Sequence, residues 1–533
     1  MPTFLPIQGD RTPINIVQIH TEDVGGGASN AAYRLYTGIK SLNPTIHILV
    51  KYKNSDNPDV IPVLPDNDKL DLEIKLSSEF VHQHYVNKNR SGLSNTLFSY
   101  PLIGYNFGHS NVIKNADVVN LHWISFFCSL SGLSKIIDMG KPIVWTLHDQ
   151  WVLTGGCHYT SGCNQYLDKC IRCLQLVNDE RQLPSHFYKR KRELLKRMNP
   201  VIVTPSHWLA DTLKKDIFFQ NMRVEVIPNS IDTALYTNIP KKTARDRLNI
   251  PLDGFYLLFC INNAAEKRKG IHFLISSLQY CMDDPAFFHK VTAGEIRVMC
   301  FGDPRGWTNT TGIPLISLGR IKSESELCTV YSAANLFLVP STDDNLPNIV
   351  MEAMSCGTPT IAFKIGGIPE MIRHGLNGCI VEQTTARAYA TMILELCNNP
   401  DHCKQMSEHC RTIAIQNYSL DVQANRYLDL YGELVHATGT NNNESPGAMI
   451  HESYEILPVA NDTYADETIL KTLSAHKDRI LQKTDHRIRI TDQHFRYQKF
   501  GRLAQLLTSI RPGNNLMHRI HNITKQLIHK GRE

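Results

Sequence analysis

Long apolar stretches are missing from this sequence. Within its 533 residues, even residues 123–133 form only a short apolar run, and that run is rich in serine. A bilayer-spanning helix needs roughly 20 predominantly apolar residues, so no membrane span is predicted. Residues 1–13 have neither a basic start nor an apolar core, so no secretory signal is predicted. We therefore expect a cytoplasmic protein whose fourteen cysteines are mostly reduced thiols.

A strong overall charge is also missing. The formal net charge is only +5, which does not by itself indicate a nucleic-acid partner. Residues 483–533, however, hold eleven Lys or Arg and three acids, a local excess of +8, interspersed with aromatic residues. This basic tail fits a helix on an anionic membrane surface, a partner-binding segment, or a helix packed on the body with a solvated basic face. Peripheral contact with the inner face of a membrane is therefore left open.

The pattern along the chain predicts an α/β protein with two domains. A chain this long exceeds what one hydrophobic core normally covers. Short β-branched runs alternate with longer amphipathic stretches, which is typical of parallel strands joined by helices. Two sheets fit best, with a boundary near residues 205–231. The ten predicted strands are Ile14–Ile19, Ile46–Val50, Val118–Leu121, Ile143–Thr146, Val201–Thr204, Val224–Ile227, Tyr256–Cys260, Val298–Phe301, Leu336–Val339 and Thr358–Ala362.

The most informative motif spans residues 340–370. It follows the apolar run Leu336–Val339, which reads as a buried strand feeding a loop. Pro347 is tolerated in the first turn of a helix because its missing N–H would have no partner there. The sequence therefore predicts a strand, a loop and a helix, with Asp344 or Asn345 as the helix N-cap.

Two carboxylates, Asp344 and Glu352, lie eight residues apart in this motif. The free N–H groups near Asn348 and Ile349, together with the helix dipole, favour a phosphate or a sugar hydroxyl. Glu352 lies among apolar residues and needs a partner. A site for a sugar nucleotide is one interpretation. The other is that Asp344 is only a cap and Glu352 pairs with a neighbouring cation.

Two further segments have the composition of phosphate-binding elements. Gly25, Gly26 and Gly27 follow the first predicted strand and precede a helical stretch, so backbone N–H groups there can approach a diphosphate closely. The basic residues 267–269 precede Gly270 after another strand. Each segment has a simpler interpretation, a plain turn for the glycines and a solvated loop for the lysines and arginine.

Taken together, these segments resemble the retaining glycosyltransferases of family 4, which have the GT-B fold of two Rossmann-like domains facing across a cleft. The family carries a Glu, seven residues and a second Glu, followed by a Gly-Gly-x-Pro-Glu turn. Here the two acids are Asp344 and Glu352, and the turn is residues 366–370. The chain departs from the family in its shorter first acid, in Asn263 where an Arg is usual, and in Ser230 where a Gly is usual.

The resemblance implies a role for each matching residue. Glu352 would bind the nucleotide ribose, Asp344 and His148 would face the donor sugar, and Lys269 with Arg268 would hold the diphosphate. Asp343 is the neighbouring alternative to Asp344, and no divalent ion is implied for transfer. The catalytic residues so implied are His148, Asp344 and Lys269. The residues implied to bind the donor nucleotide sugar are Gly26, Gly27, Arg268, Lys269, Gly302, Arg320, Asn348, Ile349 and Glu352.

The resemblance covers residues 14–435 and implies a domain plan. Residues 1–215 would form the acceptor domain and residues 216–417 the donor-nucleotide domain. Residues 418–436 would form a helix that crosses back to the first domain. Residues 437–533 would be a linker and the basic helical tail.

A cysteine cluster interrupts the first predicted domain after His148. Cys157, Cys163, Cys170 and Cys173 follow the spacing C-x5-C-x6-C-x2-C, and some family members have a similar cysteine-rich insertion. Four thiols within seventeen residues predict a structural zinc site, with His158 as a spare ligand. Disulfides and a metal-free cluster of buried thiols are the alternatives.

The expected function is transfer of a sugar from a nucleoside-diphosphate sugar to a hydroxyl acceptor, a glycan or lipid-linked saccharide, with retention of configuration. A surface polysaccharide is the acceptor suggested by resemblance alone. A GT-B sugar-nucleotide epimerase would use the same nucleotide grip and is the first alternative. A non-catalytic glycan-binding or partner-binding protein is the second.

Overall fold

The computed structural model describes residues 12–63, 83–101, 104–105, 107–179, 182–261, 265–303 and 309–439. Asn263 and the basic tail beyond residue 439 lie outside these residues, so the predictions made for them are not addressed. Among the described residues, no helix combines the length and apolarity needed to cross a membrane.

The first sheet has seven parallel strands in the order β3-β2-β1-β4-β5-β6-β7. Alternate residues of one strand enter opposite cores: Leu49 packs into one hydrophobic cluster, and Ile48 and Val50 pack into the other. Burial of both faces is characteristic of parallel sheets covered by helices. The strands are β1 Ile16–Glu22, β2 Ile46–Tyr52, β3 Val60–Pro62, β4 Val118–Leu121, β5 Ile143–Thr146, β6 Val201–Thr204 and β7 Val224–Val226.

The second sheet has six parallel strands in the order β10-β9-β8-β11-β12-β13. It is also covered on both faces, with Phe337 and Val339 in one cluster and Leu336 and Leu338 in the other. The strands are β8 Phe255–Ile261, β9 Ile296–Gly302, β10 Leu315–Ser317, β11 Leu336–Val339, β12 Thr360–Phe363 and β13 Gly378–Val381. We call the first sheet with its helices the first domain and the second sheet with its helices the second domain.

Helices connect the strands and cover both sheets. Two single-turn 3-10 helices, Gln165–Asp168 and Lys267–Lys269, occur in loops. The α-helices are α1 Gly27–Leu42, α2 (residues 83–88), α3 Asn111–Lys114, α4 Leu130–Ile137, α5 Leu183–Met198, α6 His207–Lys214, α7 Ile217–Gln220, α8 Lys241–Arg247, α9 Ile271–Met282, α10 Pro285–Thr292, α11 Glu324–Ala333, α12 Asn348–Ser355, α13 Ile368–Met371, α14 Ala386–Cys397, α15 Pro400–Tyr418 and α16 Leu420–Gly439.

The predicted α/β architecture of two parallel sheets is confirmed, and each of the ten predicted strands has a counterpart. Three strands, β3, β10 and β13, were missed, and all three lie at sheet edges. They are only three or four residues long. An edge strand needs neither a long apolar run nor a partner on both sides, so its sequence signal is weak.

Helix α16 follows the second domain in sequence but packs on the first sheet. Tyr427 and Tyr431 are fully buried in the cluster that covers β1 and β2. Tyr431 Oη accepts a hydrogen bond of 2.7 Å from Asn120 Nδ2, and Tyr427 Oη lies 3.0 Å from Thr146 Oγ1. Asn120 on β4 and Thr146 on β5 hydrogen-bond to each other at 3.0 Å, and each has a further partner on α16.

Tyr431→Phe should destabilise the protein by about 1–3 kcal/mol, because it leaves the buried amide of Asn120 without its acceptor. Chemical denaturation followed by circular dichroism measures this change. Tyr280→Phe is the matched control, since Tyr280 is 41% exposed, and it should change the unfolding free energy by less than 0.5 kcal/mol, as is usual for surface positions. Equal stability of the two variants would contradict this account of α16.

Candidate functional site

Two glycines, Gly270 and Gly366, allow neighbouring segments to approach the loop after β11 closely. Gly270 has φ +69°, and a Cβ there would overlap the carbonyl oxygen of Pro340. Gly366 has φ +55°, and a Cβ there would overlap the carbonyl oxygen of Asp344. Both positions therefore need a residue without a side chain. The close approach at Gly270 places Lys269 directly beside Asp344.

Asp344 is buried and ion-paired on the second domain. Its Oδ2 lies 2.7 Å from Lys269 Nζ and 3.3 Å from Arg268 Nη1. Burial opposes ionisation of this carboxyl, but Lys269 and Arg268 outweigh that effect and hold its pKa below the ordinary value. The first acid of the motif is thus a carboxylate held by both predicted diphosphate-binding cations.

The predicted N-cap of the following helix is wrong. Helix α12 begins at Asn348 with Pro347 as its N-cap, and no side-chain cap is present. The two residues proposed as caps have other partners: Asp344 has its cations, and Asn345 Oδ1 accepts a 2.6 Å hydrogen bond from Ser206 Oγ. The N–H groups at Asn348 and Ile349 are therefore not used by a side-chain cap.

Arg268 also contacts the first domain, through the cysteine-rich insertion. Its guanidinium carbon lies 4.0 Å from the centre of the Tyr159 ring, and its Nε donates to Glu266 Oε1 at 2.6 Å. Burial raises the pKa of Asp343 to about 6, although Arg268 and the backbone of Ser161, which is also in the insertion, lower it. The insertion therefore packs against Arg268 and lies beside the loop that carries Asp343 and Asp344.

Glu352 has the partner that its apolar surroundings require. It lies on α12 and is 5% exposed. Its Oε1 accepts from Arg34 Nη2 at 2.9 Å, and its Oε2 accepts from Tyr331 Oη at 3.0 Å. Arg34 belongs to α1 of the first domain, so this ion pair joins the two domains.

Further contacts bring the predicted residues of the two domains together. Asn348 Nδ2 donates to the Gly27 carbonyl oxygen at 2.8 Å, and Asn345 Nδ2 donates to the His148 carbonyl oxygen at 3.3 Å. A Cβ at Gly27 would meet no described atom within 4 Å, so Gly27 borders open space, whereas a Cβ at Gly26 would lie 3.6 Å from side-chain atoms of Glu22 and Ser29. The structure therefore places the glycine loop, residues 25–27, and His148 at the same cleft as α12.

His148 belongs to a cluster of three imidazoles at the carboxyl ends of adjacent strands. His148 Nε2 lies 3.1 Å from His122 Nδ1, and the His20 ring centre lies 6.1 Å from each of the other two. Burial lowers the pKa of His20 to about 3 and that of His148 to about 4, and it also lowers the pKa of His122. All three rings are therefore neutral near pH 7.

Two other predicted donor residues lie near the ends of β9 and β10. The Gly302 N–H donates to the carbonyl oxygen of Gly319 at 2.7 Å, which joins the two segments. Arg320 follows directly and is exposed. Their assignment to the nucleotide stays a prediction.

The four predicted zinc ligands surround one cavity in the cysteine-rich insertion. Cys157, Cys163, Cys170 and Cys173 all line it, and none is in a disulfide. In the part of the chain that the structure describes, no group of three or more His, Cys, Asp or Glu side chains is arranged to hold a metal ion. The zinc site therefore stays a prediction from the spacing.

Several residues that build the site were not predicted from the sequence. Arg34 and Tyr331 hold Glu352, and Tyr159 stacks on Arg268. The carboxylate of Glu370 accepts the first N–H groups of α6 at 2.8 Å, from His207 and Trp208. The Gly-Gly-x-Pro-Glu turn marked Glu370 as notable, but the partners of the others are distant in sequence and left no local signal.

Comparison with protein families gives two adjoining matches. Residues 25–235 match the family model described as Glycosyltransferase Family 4, and residues 255–399 match the one described as Glycosyl transferases group 1. A D-inositol 3-phosphate glycosyltransferase of Thermobispora bispora is 27% identical over 197 residues, which cover 35% of this chain and 45% of that protein. An alpha-maltose-1-phosphate synthase of Mycobacterium tuberculosis is 26% identical over 248 residues, or 44% and 62% of the two chains. The chain spans about half the length of the curated relatives it matches.

Solved structures confirm the predicted GT-B fold. Anabaena Alr3699/HepE in complex with UDP superposes with a TM-score of 0.51 at 16% identity, covering 79% of this chain and 100% of that one. A sucrose-phosphate synthase from Thermosynechococcus elongatus superposes with a TM-score of 0.53 at 17% identity, covering 80% and 100%. At such low identity these likenesses establish the fold alone.

The buried histidines should make the protein less stable as the pH falls from about 7 towards 4. The pKa of His20 is about 3 in the folded chain, against an ordinary value of 6.5. The unfolded chain therefore binds a proton that the folded chain excludes, which removes up to about 1.4 kcal/mol per pH unit in this window.

Thermal melting of the wild type and of His20→Gln across this pH range measures the effect. His20→Gln should have a shallower fall in melting temperature with pH, whereas His109→Gln, at an exposed position, should follow the wild type. Three parallel pH profiles would contradict a buried neutral His20.

Proposed function

We propose that this chain, which has the GT-B fold and matches glycosyltransferase models over both domains, is a hexosyltransferase-type glycosyltransferase. It uses a nucleoside-diphosphate sugar as donor and transfers the sugar to a hydroxyl acceptor with retention of configuration. Support comes from the family matches, and from Anabaena Alr3699/HepE, a structural neighbour whose solved complex contains UDP.

The observation that carries the proposal is the meeting of donor-site elements from both domains. The glycine loop contacts the start of α12 through Gly27 and Asn348, and His148 contacts the loop that holds Asp344 through Asn345. These elements are more than a hundred residues apart in sequence. A single-domain binding module has no need for such an arrangement, whereas transfer of a sugar between two substrates requires a cleft.

The chemistry needs stabilisation of the diphosphate as it leaves the sugar. Lys269 is suited to this task because only one of its three N–H donors is used on Asp344 and its side chain is 35% exposed. The N–H groups of Asn348 and Ile349 at the start of α12 add the helix dipole. Fixed donors of this kind stabilise developing negative charge without reorganisation.

Retention fits the state of Asp344. Its carboxylate is held by Lys269 and Arg268, so it is suited to orienting the sugar and is not free to attack the anomeric carbon as a nucleophile. A neutral His148 would add a hydrogen bond to a sugar hydroxyl. We therefore propose that the acceptor hydroxyl attacks from the side that the diphosphate leaves, with the diphosphate oxygen receiving its proton.

We further propose a glycan or lipid-linked saccharide as the acceptor and the cytoplasm as the location. A panel of UDP-, GDP- and ADP-sugars, scored by thermal stabilisation, hydrolysis and transfer, tests the function. NMR of the product identifies the anomer. Interconversion of the donor without an acceptor would favour an epimerase, and no effect of any donor would favour a binding protein.

Lys269→Ala should lower kcat by about 100-fold or more, the usual effect of losing one donor to a developing oxyanion. Lys267→Ala is a matched control two residues away, because Lys267 Nζ donates to the Gly92 carbonyl oxygen and not to Asp344. We expect it to stay within about threefold of the wild type. Steady-state rates with the donor found by the panel provide the measurement, and equal rates for the two variants would contradict the role of Lys269.

A further inference from the structure

Arg34 is a cation of the first domain that is buried against the second. It lies two turns into α1 and is 6% exposed. Its Nη2 is 2.9 Å from Glu352 Oε1, 3.1 Å from Glu324 Oε1 and 3.3 Å from Tyr236 Oη. All three partners belong to the second domain. The Arg34 guanidinium therefore reaches from the first domain to Glu352, the carboxylate that the family resemblance assigns to the ribose.

Arg34 carries its positive charge in the ion pair with Glu352. Burial disfavours the charged guanidinium, but Glu352 outweighs that effect, and the pKa of Arg34 lies above its ordinary value. Glu352 is itself 5% exposed, so each member of the pair depends on the other for its charge.

Arg34 also has hydrogen-bonding capacity that the described residues do not use. Its Nη1 is buried and has no hydrogen-bond partner among them. A carboxylate accepts about four hydrogen bonds, and Glu352 accepts two here, from Arg34 and from Tyr331. Arg34 thus carries a buried donor without a partner among the described residues. The carboxylate that it binds, Glu352, has acceptor sites that these residues do not use. Leaving such a donor unpaired is costly.

A vicinal diol satisfies both groups at once. Each hydroxyl donates one hydrogen bond and also accepts, so a diol can donate to Glu352 and accept from Arg34 Nη1. Gly27 and Arg34 are seven residues apart on α1, on one face, and Asn348 and Glu352 are four apart on one face of α12. The Gly27–Asn348 contact and the Arg34–Glu352 pair therefore run along the same two helices.

We propose that Arg34 is a further donor-binding residue, which together with Glu352 binds the ribose diol of the nucleotide. The first domain thereby takes part in recognising the nucleotide, and the ribose site is complete only when the two domains are together. This inference rests on the proposed function and adds a ligand contact to it.

Calorimetric titration of the full chain tests the inference. UDP, GDP and ADP identify the nucleotide that the wild type binds, and its 2′,3′-dideoxy form is the probe for the diol. Arg34→Met should weaken binding of the natural nucleotide by roughly 10- to 100-fold, the equivalent of one hydrogen bond to a charged group. It should weaken binding of the dideoxy form by less than about threefold, because that ligand has no diol to lose.

Two variants serve as controls. Glu324→Gln removes a carboxylate from the same guanidinium, but the Glu324 side chain is 51% exposed, so nucleotide affinity should stay within about threefold. Arg34→Lys keeps the cation, which protects folding, but offers a single nitrogen and should have intermediate affinity for the natural nucleotide.

The outcomes separate the two proposals. Unchanged affinity of Arg34→Met and Arg34→Lys overturns this inference alone. Equal losses for the natural and dideoxy nucleotides also overturn it, because they show that Arg34 only maintains the structure. If Arg34→Met does not fold, the natural-to-dideoxy comparison in Arg34→Lys decides in the same way. A wild-type chain that binds none of the three nucleotides overturns the proposed function and this inference together.

Discussion

The loop between β11 and α12 is the constraint on which the cleft depends. Asp344 binds the cations of the second domain, while Asn345 binds Ser206 and the backbone at His148 in the first domain. Gly366 lets a neighbouring turn pack against the same loop. One short segment thus holds Lys269 and Arg268 in place and joins them to the first domain. Displacing this loop would break its contacts with both domains at the same time.

Charge in this cleft is arranged in pairs because the groups are buried. A carboxylate taken out of water is stable only with a partner and well-placed hydrogen bonds. Asp344 has Lys269 and Arg268, and Glu352 has Arg34 and Tyr331. Pairing also fixes the direction of each side chain, which a surface ion pair seldom does. The same contacts that stabilise the two buried carboxylates therefore also fix their orientation.

The sequence was sufficient for the fold and for the strand, loop and helix that carry Asp344 and Glu352. Strands buried on both faces are strongly apolar, which made both sheets visible, and the motif around Asp344 and Glu352 has fixed spacing. The residues that link distant segments were not predictable. From the sequence alone, Arg34 cannot be distinguished from any other charged residue of an amphipathic helix, because its partner Glu352 lies on α12 of the other domain. Tyr159 likewise has no visible role, because Arg268, which contacts its ring, is distant in sequence.

The N-cap error has a similar cause. Asp and Asn are the best helix caps when nothing else competes for them, so local propensity favoured Asp344 or Asn345. Tertiary contacts compete with capping. Asp344 is ion-paired with Lys269, and Asn345 is hydrogen-bonded to the buried Ser206. The start of α12 then moves to Asn348, after Pro347, and its N–H groups stay uncapped. The start of α12 therefore lacks the stabilisation that a side-chain cap would give. In the proposed function, this is where the diphosphate would bind.

In the proposed site, the groups that would face the sugar and the groups that would face the diphosphate differ in charge. On the first domain, His148 adjoins the cleft, and its pKa, like those of the buried His20 and His122 beside it, is lowered by burial. On the second domain, Lys269 and the start of α12 would face the diphosphate. A neutral sugar is well matched to uncharged imidazoles, which offer hydrogen bonds without a net field. A diphosphate is matched to a cation and backbone N–H donors, so the proposed site would favour one orientation of the donor.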